Sequence, residues 1–256
     1  MIDSRAVIDP SAQIGADVTI GPFSVIGKGV TIGDGTWVGP HVVINGPTEI
    51  GKDNKIFQFA SIGEDPQDKK FAGEDTKLII GDRNVFREYV TVNRGTTQDK
   101  GYTKVGNDNW IMAYCHIAHD CVVHDNVTMS NSSSLAGHVE VQDHAILAGF
   151  ALVHQFCKIG AHSFSAFGSV INQDVPTYVT ASGHLASPRG INSEGLKRRG
   201  FSPETIRAIK NAYKAIYMSG KKLDEAIEKI EGDSGDIPEV CELIDFIKSS
   251  ERGIIR

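Results

Sequence analysis

The chain has 256 residues, of which 40% are hydrophobic and 23% charged, with a formal net charge of -6 at neutral pH. That length suits one large domain or a main domain with a smaller second one, and the acidic balance argues against non-specific nucleic-acid binding. No apolar run approaches the roughly 18 residues that would mark a membrane span, and the first residues carry neither a basic stretch nor an apolar one, so the expectation is a cytoplasmic protein without an export signal.

From Ile8 onward a β-branched residue recurs every sixth position: Ile8, Ile14, Ile20, Ile26, Ile32, Val38, Ile44, Ile50, Ile56 and Ile62. No helix has that period. Gly follows at 15, 21, 27, 33, 39, 51 and 63, and small or modest residues such as Val18, Ser24, Val30 and Val42 stand two before. Each hexapeptide reads as a short strand plus a turn, with Gly supplying backbone geometry that a Cβ would forbid. One such unit cannot bury its apolar residue alone, so the units must wind into a solenoid of parallel strands. Three units per coil make residues eighteen apart neighbours, at about 4.8 Å along the axis.

Ile80, Phe86 and Val92 stay in phase with Ile62, which makes 64–77 an excursion from the solenoid. A second excursion at 94–103 shifts the frame by one. Val105, Ile111, Ile117, Val123, Met129, Leu135, Val141, Leu147, Val153 and Ile159 then restore it, and Ser165 and Ile171 close a series of twenty-five rungs, about eight coils. The period is lost from Val175-Pro176. Ser202 before Pro203 signals a helix start, Ile206, Ile209, Tyr213, Ile216 and Tyr217 form its apolar stripe, and Gly220 ends it. Further helices are expected at about 222–231 and 238–250, capping the solenoid. The division is 1–190, a hexapeptide-repeat β-helix, and 191–256, a helical domain.

Seven of the nine histidines fall between 116 and 162. Ile117, Leu135 and Val153 share a column, so His116, His119, His138 and His154 flank one edge over three coils, roughly 10 Å of axis. His119 can take a proton from a hydroxyl at neutral pH, with Asp120 orienting it and the main chain at Gly137 open to an oxyanion. His124, His144 and His162 fall on other corners and read as structural. Gln67-Asp68-Lys69-Lys70 sits in the first excursion. Lys197, Arg198, Arg199, Arg207, Lys210, Lys214, Lys221 and Lys222 face only Glu204 in 195–222, a patch suited to an anion. Cys115, Cys121, Cys157 and Cys241 lack metal-site or redox spacing and read as free thiols.

Longer strings carry a resemblance over essentially the whole chain. Ile56-Phe57-Gln58-Phe59-Ala60-Ser61-Ile62-Gly63-Glu64, His116-Ile117-Ala118-His119-Asp120-Cys121, Leu135-Ala136-Gly137-His138-Val139, Val153-His154-Gln155-Phe156-Cys157 and Glu194-Gly195-Leu196-Lys197-Arg198-Arg199-Gly200-Phe201 closely resemble the bacterial UDP-N-acetylglucosamine O-acyltransferases, which open lipid A synthesis. The resemblance implies a left-handed parallel β-helix, although the crossover preference of strands would favour a right-handed coil. It implies transfer of a 3-hydroxyacyl chain from acyl carrier protein to the sugar 3-hydroxyl, with His119 as base and the Gly137 amide as oxyanion donor. Gln67, Asp68, Lys70, His116, His138, His154 and Gln155 would position sugar and acyl chain, and Asn192, Glu194, Arg198 and Arg199 the uridine diphosphate. The carrier thioester is the co-substrate, with no cofactor and no metal. The partners implied are acidic acyl carrier protein, UDP-N-acetylglucosamine and two further copies of the chain in a homotrimer. Phe167, with Phe164 and Met112 nearby, matches the position that measures acyl length, and its bulk implies a short-to-medium donor. Asn93 stands where the family commonly has His, and Gly183-His184-Leu185 departs from the family's Gly-Asn. Three rival readings are a γ-carbonic-anhydrase-like zinc enzyme, a paralogue acting on a 3-amino sugar, and a non-catalytic binding solenoid.

Overall fold

The computed structural model describes residues 1–256. Twenty-five strands of two to four residues run from Val7–Ile8 to Val170–Ile171, one for each rung of the repeat. They form three parallel faces, a triangular prism: the first face runs from Val7–Ile8 to Val170–Ile171, the second from Gln13–Ile14 to Lys158–Ile159, and the third from Thr19–Ile20 upward. The solenoid is a left-handed parallel β-helix. Strands eighteen residues apart pair in register, as in Val7 with Val25 and Ile117 with Leu135. Across the excursions Ser61 pairs with Thr91 and Thr91 with His116 on the first face, and Lys77 with Tyr102 on the second, so both detours lie at the corner between these two faces and leave the stacking intact.

The sixth-position residues fill the interior: Ile26, Ile62, Ile117 and Leu135 are buried, together with the Val18, Ser24, Val30 and Val42 column two places before. Each such aliphatic side chain contributes about 1.5–3 kcal/mol by leaving water. Asn54, Asn84 and Asn109 form a buried ladder at one corner. Asn54 Oδ1 accepts the Asn84 N–H at 2.9 Å, and Asn84 Oδ1 accepts the Asn109 N–H at 2.9 Å, so each amide satisfies the turn of the next coil.

The glycines work differently from the expectation. The left-handed backbone position falls three residues after the inward residue and is held mainly by other types, such as Asp17, Phe23, Asp120 and His138. The glycine directly after the inward residue is needed for close approach: a Cβ at Gly15 would lie 2.8 Å from the Asp34 nitrogen, and one at Gly33 2.6 Å from the Gly51 carbonyl carbon. Stacked coils simply leave no room there.

Strand pairing also outlasts the repeat. Val179–Ser182 pairs parallel to Phe164–Ser165, with Ser165 opposite Ala181, sixteen residues on instead of eighteen, and Ser187–Ile191 returns antiparallel beside it. The shortened coil shifts the phase, which is why the period vanishes while the stacking continues. Four helices follow: α1 (Ser193–Arg198), α2 (Pro203–Tyr217), α3 (Leu223–Ser234) and α4 (Pro238–Lys248). Of these, α1 gave no signal of its own in the sequence. Ser202 caps α2 by accepting from the Thr205 N–H at 3.1 Å. The helices build a second apolar cluster around Ile209, Ile216, Leu243 and Tyr178, while Tyr213 and Tyr217 pack against the solenoid core. No helix is long and apolar enough to cross a membrane.

Candidate active site

The corner between the first and second faces carries residues 118–121, 136–139 and 154–157 on three successive coils, held by the Ile117, Leu135 and Val153 column. Its left-handed position is occupied by Asp120, His138 and Phe156, with φ of 60°, 65° and 64°. The position before it holds His119, Gly137 and Gln155. The His138 ring stacks on Phe156 at 4.3 Å between centroids, and His119 stands perpendicular to His138 at 5.1 Å.

Gly137 has no positive φ, so its role is spatial. A Cβ there would sit 2.6 Å from His119 Cε1 and 2.8 Å from Nε2. The coil above vacates a side-chain position, and the His119 imidazole leans into it. No group of the chain accepts the Gly137 N–H, which is left free beside that ring.

Asp120 is wholly buried and fully engaged. Its Oδ1 accepts the Thr96 N–H at 2.9 Å, and its Oδ2 accepts the Thr96 hydroxyl at 2.7 Å and lies 2.8 Å from His119 Nδ1. The Asp120 N–H donates to Thr103 Oγ1 at 2.8 Å. A buried carboxylate with three donors is compensated as an anion, and an anion at Nδ1 keeps the proton there and the Nε2 lone pair free. The His119 Nε2 is thereby left as a hydrogen-bond acceptor.

The two excursions fold towards this corner. Gln67, Asp68, Lys69 and Lys70 from the first and Gln98, Asp99 and Lys100 from the second enclose a cleft of about 950 Å³ with His119, His138, Gln155 and Phe156. Glu140, Lys158, Asp174, Glu251 and Arg252 complete its wall. Sequence reasoning missed Thr96, Asp99, Lys100, Thr103 and Arg252, because residues outside the repeat cannot be projected onto a corner, and it passed over Lys158, a strand residue of the second face.

His116 and His154 flank the cleft without lining it. His116 Nδ1 lies 2.7 Å from Thr91 Oγ1 on the first face, and burial, then the neighbouring His119, pushes its pKa down. His154 is exposed over a separate hollow of about 470 Å³ with Leu152, Val170 and Leu185, an apolar strip that the sequence reading also missed. Phe167 is 73% exposed at the corner between the third and first faces, edge-on to Phe150 at 5.4 Å. Phe164 is a strand residue on the third face, and Met112 follows the third-face strand Trp110–Ile111. These three therefore stand away from the His119 cleft of the same chain.

The residues matched to nucleotide binding gather at the remaining corner. Asn192 caps α1, accepting the Gly195 N–H at 3.1 Å and donating to the His162 carbonyl at 2.9 Å. Arg199 donates to the His144 carbonyl at 3.1 Å, Glu194 pairs with Lys197 at 2.7 Å on the surface, and Arg198 is exposed. His144 and His162 stack at 4.7 Å there, and burial, then His144 and Arg199, brings His162 down to about 4. His124 pairs with Glu140 at 3.2 Å, which raises its pKa. All four cysteines are free thiols, and burial pushes Cys121 up to about 12 and Cys157 to about 11.

His119, Asp120 and His138 offer possible metal-ligand atoms within 4.8 Å of one another. In each imidazole, however, Nδ1 already faces a carboxylate, and both Asp120 oxygens are occupied. The donor set fits two histidine–carboxylate pairs better than an ion.

Residues 174–255 match the family model described as UDP-N-acetylglucosamine O-acyltransferase, domain 2, and residues 102–137 match that of the bacterial transferase hexapeptide. The acyl-[acyl-carrier-protein]–UDP-N-acetylglucosamine O-acyltransferase of Alkalilimnicola ehrlichii is 62% identical over 255 residues, covering 100% of this chain and 99% of the relative. The solved UDP-N-acetylglucosamine acyltransferase of Francisella novicida superposes with a TM-score of 0.97 at 44% identity, covering 100% of this chain and 94% of that one. The O-acyltransferase of Moraxella catarrhalis does so at 0.97 and 45%, covering 100% and 99%. Repeat, corner, helical cap and these full-length likenesses agree: the chain belongs to the UDP-N-acetylglucosamine O-acyltransferase family.

Proposed function

We propose that this enzyme transfers a 3-hydroxyacyl chain from acyl carrier protein to the 3-hydroxyl of UDP-N-acetylglucosamine, the entry step of lipid A synthesis, with His119 as general base. The observation that carries the assignment of the base is the arrangement of that ring: Nδ1 on a buried, fully satisfied carboxylate, and Nε2 beside the unspent Gly137 N–H in the wall of a polar cleft. His119 takes the hydroxyl proton as the sugar oxygen attacks the thioester carbonyl. The Gly137 N–H receives the charge on the tetrahedral oxygen. Collapse breaks the C–S bond, and the imidazolium returns the proton to the departing thiolate. The thioester supplies all the driving force, so no cofactor is required.

Gln67, Asp68, Lys70, His138 and Gln155 hold the sugar nucleotide in the cleft, flanked by His116 and His154. The acyl chain runs from His154 over Leu152, Val170 and Leu185 towards Phe167, with Phe164 and Met112 at the far side. Asn192, Glu194, Arg198 and Arg199 lie on another corner, so they reach the uridine diphosphate bound to a neighbouring copy, and the active unit is a homotrimer. An exposed aromatic ladder supports that assembly: Phe23, His41, Phe59, Tyr89 and Tyr114 stack at 4.8–5.5 Å along one edge, a large apolar surface for a lone chain. Arg207, Lys210 and Lys214 project from one exposed side of α2, matching an acidic carrier protein in the cytoplasm. In this division residues 1–190 carry the chemistry and 191–256 the carrier and nucleotide contacts.

The test combines purified protein, UDP-N-acetylglucosamine and 3-hydroxyacyl carrier proteins of graded length, with product followed by mass spectrometry and His119→Ala run in parallel. Product from the wild type alone supports the reading. A His119→Ala enzyme that turns over normally removes His119 as base, and a silent wild type removes the reaction.

A further inference from the structure

The second excursion bears on His138 as well as on the base. Asp99 Oδ2 lies 2.8 Å from His138 Nδ1, while the nearest Asp120 oxygen is 3.9 Å from the same atom, beyond hydrogen-bond reach. The ring is stacked on its face by Phe156 and stands perpendicular to His119. Nε2 is its remaining polar atom, and the residue forms part of the cleft wall.

We propose that Asp99 is a positioning residue that holds His138 with its proton on Nδ1, so that Nε2 presents a lone pair to a hydrogen-bond donor of the bound substrate. An ionised carboxylate can only accept, so the shared hydrogen belongs to Nδ1, and the tautomer of an imidazole follows from the bond its other nitrogen makes. His138–Asp99 thus repeats the His119–Asp120 arrangement one coil on. Both pairs depend on the same excursion, which supplies Thr96 to Asp120 and Asp99 to His138. The first pair deprotonates a hydroxyl; the second accepts a hydrogen bond from a hydroxyl or amide N–H and fixes the substrate's orientation. Only the identity of that donor rests on the proposed acyl transfer.

Two readouts test this. The first compares kcat and KM for wild type, Asp99→Ala, His138→Ala and the double variant, after circular dichroism and thermal unfolding have shown each to be folded. Asp99→Ala is expected to lower kcat/KM on the order of tenfold in the wild-type background, as for a lost charge-assisted hydrogen bond. It should change it by less than about twofold in the His138→Ala background, since a residue acting through a partner is not additive with it. The second is nitrogen NMR of ¹⁵N-histidine-labelled protein without substrate, where His138 should carry its proton on Nδ1 in the wild type and lose that preference in Asp99→Ala. Equal losses in both backgrounds, an inert Asp99→Ala, or a wild-type ring protonated on Nε2 alone would overturn the proposal. If the wild type fails to acylate UDP-N-acetylglucosamine, the functional reading fails, and the NMR measurement still decides the role of Asp99.

Discussion

Replacing Gly137 by Ala adds a single methyl group against the proposed base, His119. The new carbon would stand 2.6 Å from His119 Cε1, whereas ordinary contact begins at 3.4 Å, so the ring must retreat by about 0.8 Å. It cannot retreat freely, because Nδ1 is held by a carboxylate whose oxygens are also held by Thr96. Either the pair lengthens or the ring turns away from the cleft. A displacement near 1 Å at a reacting group costs on the order of a hundredfold in rate. The backbone accepts Ala here because φ is not positive, and the N–H is retained, so folding and the proposed oxyanion donor survive. Steady-state assays should therefore give a kcat about a hundredfold below wild type with little change in thermal midpoint. In a His119→Ala background the same substitution should cost almost nothing. A Gly137→Ala enzyme with wild-type kcat would refute the argument that this glycine exists to admit the imidazole.

Asp120→Asn places an amide N–H₂ where the carboxylate accepted, so His119 Nδ1 is free to turn acceptor and the charge that holds the tautomer is lost. The expected loss in kcat is about 10²–10⁴-fold, with KM nearly unchanged, measured in the same assay. Phe167→Gly should shift the preferred donor to a longer 3-hydroxyacyl chain in competition between carrier thioesters; an unchanged preference removes Phe167 as the limit of the acyl path. His162, at about 4, sits below the unfolded value near 6.5 because burial, His144 and Arg199 disfavour its cation. The folded state therefore binds fewer protons, and stability that is complete above about pH 6.5 declines towards pH 4. For a half-buried ring, screening reduces the effect to about 1–2 kcal/mol. His162→Phe keeps the stacking and should flatten the fall in thermal midpoint between pH 7 and pH 4.5.

The solenoid was legible because its information is periodic. Adding eighteen to His119 names the place beside His138, and the structure has the two rings in contact. The same arithmetic fails where the chain leaves the repeat. Thr96 and Asp99 sit in a loop with no phase, so nothing in their spacing aims them at Asp120 and His138. The last coil was hidden by its two missing residues, and the role of the glycines by the fact that a contact between coils leaves no mark along a single strand. Phe167 illustrates a different limit: its column could be assigned, but a corner residue faces outwards, and the repeat arithmetic of one chain does not name what lies against it.

The pairing register also makes chain length a set of angular and axial coordinates. An insertion of eighteen residues raises everything beyond it by one strand spacing, about 4.8 Å, without turning it. An insertion of six turns everything beyond it by one face, and would move His138 and Gln155 to a different corner from His119. Lengthening such a molecule is therefore permitted in whole coils only, unless the surplus is looped out as it is before Thr91 and His116. Those loops are where the cleft lining outside the repeat was added, and they could be added because a detour that replaces a corner turn and rejoins at the next face disturbs nothing above it.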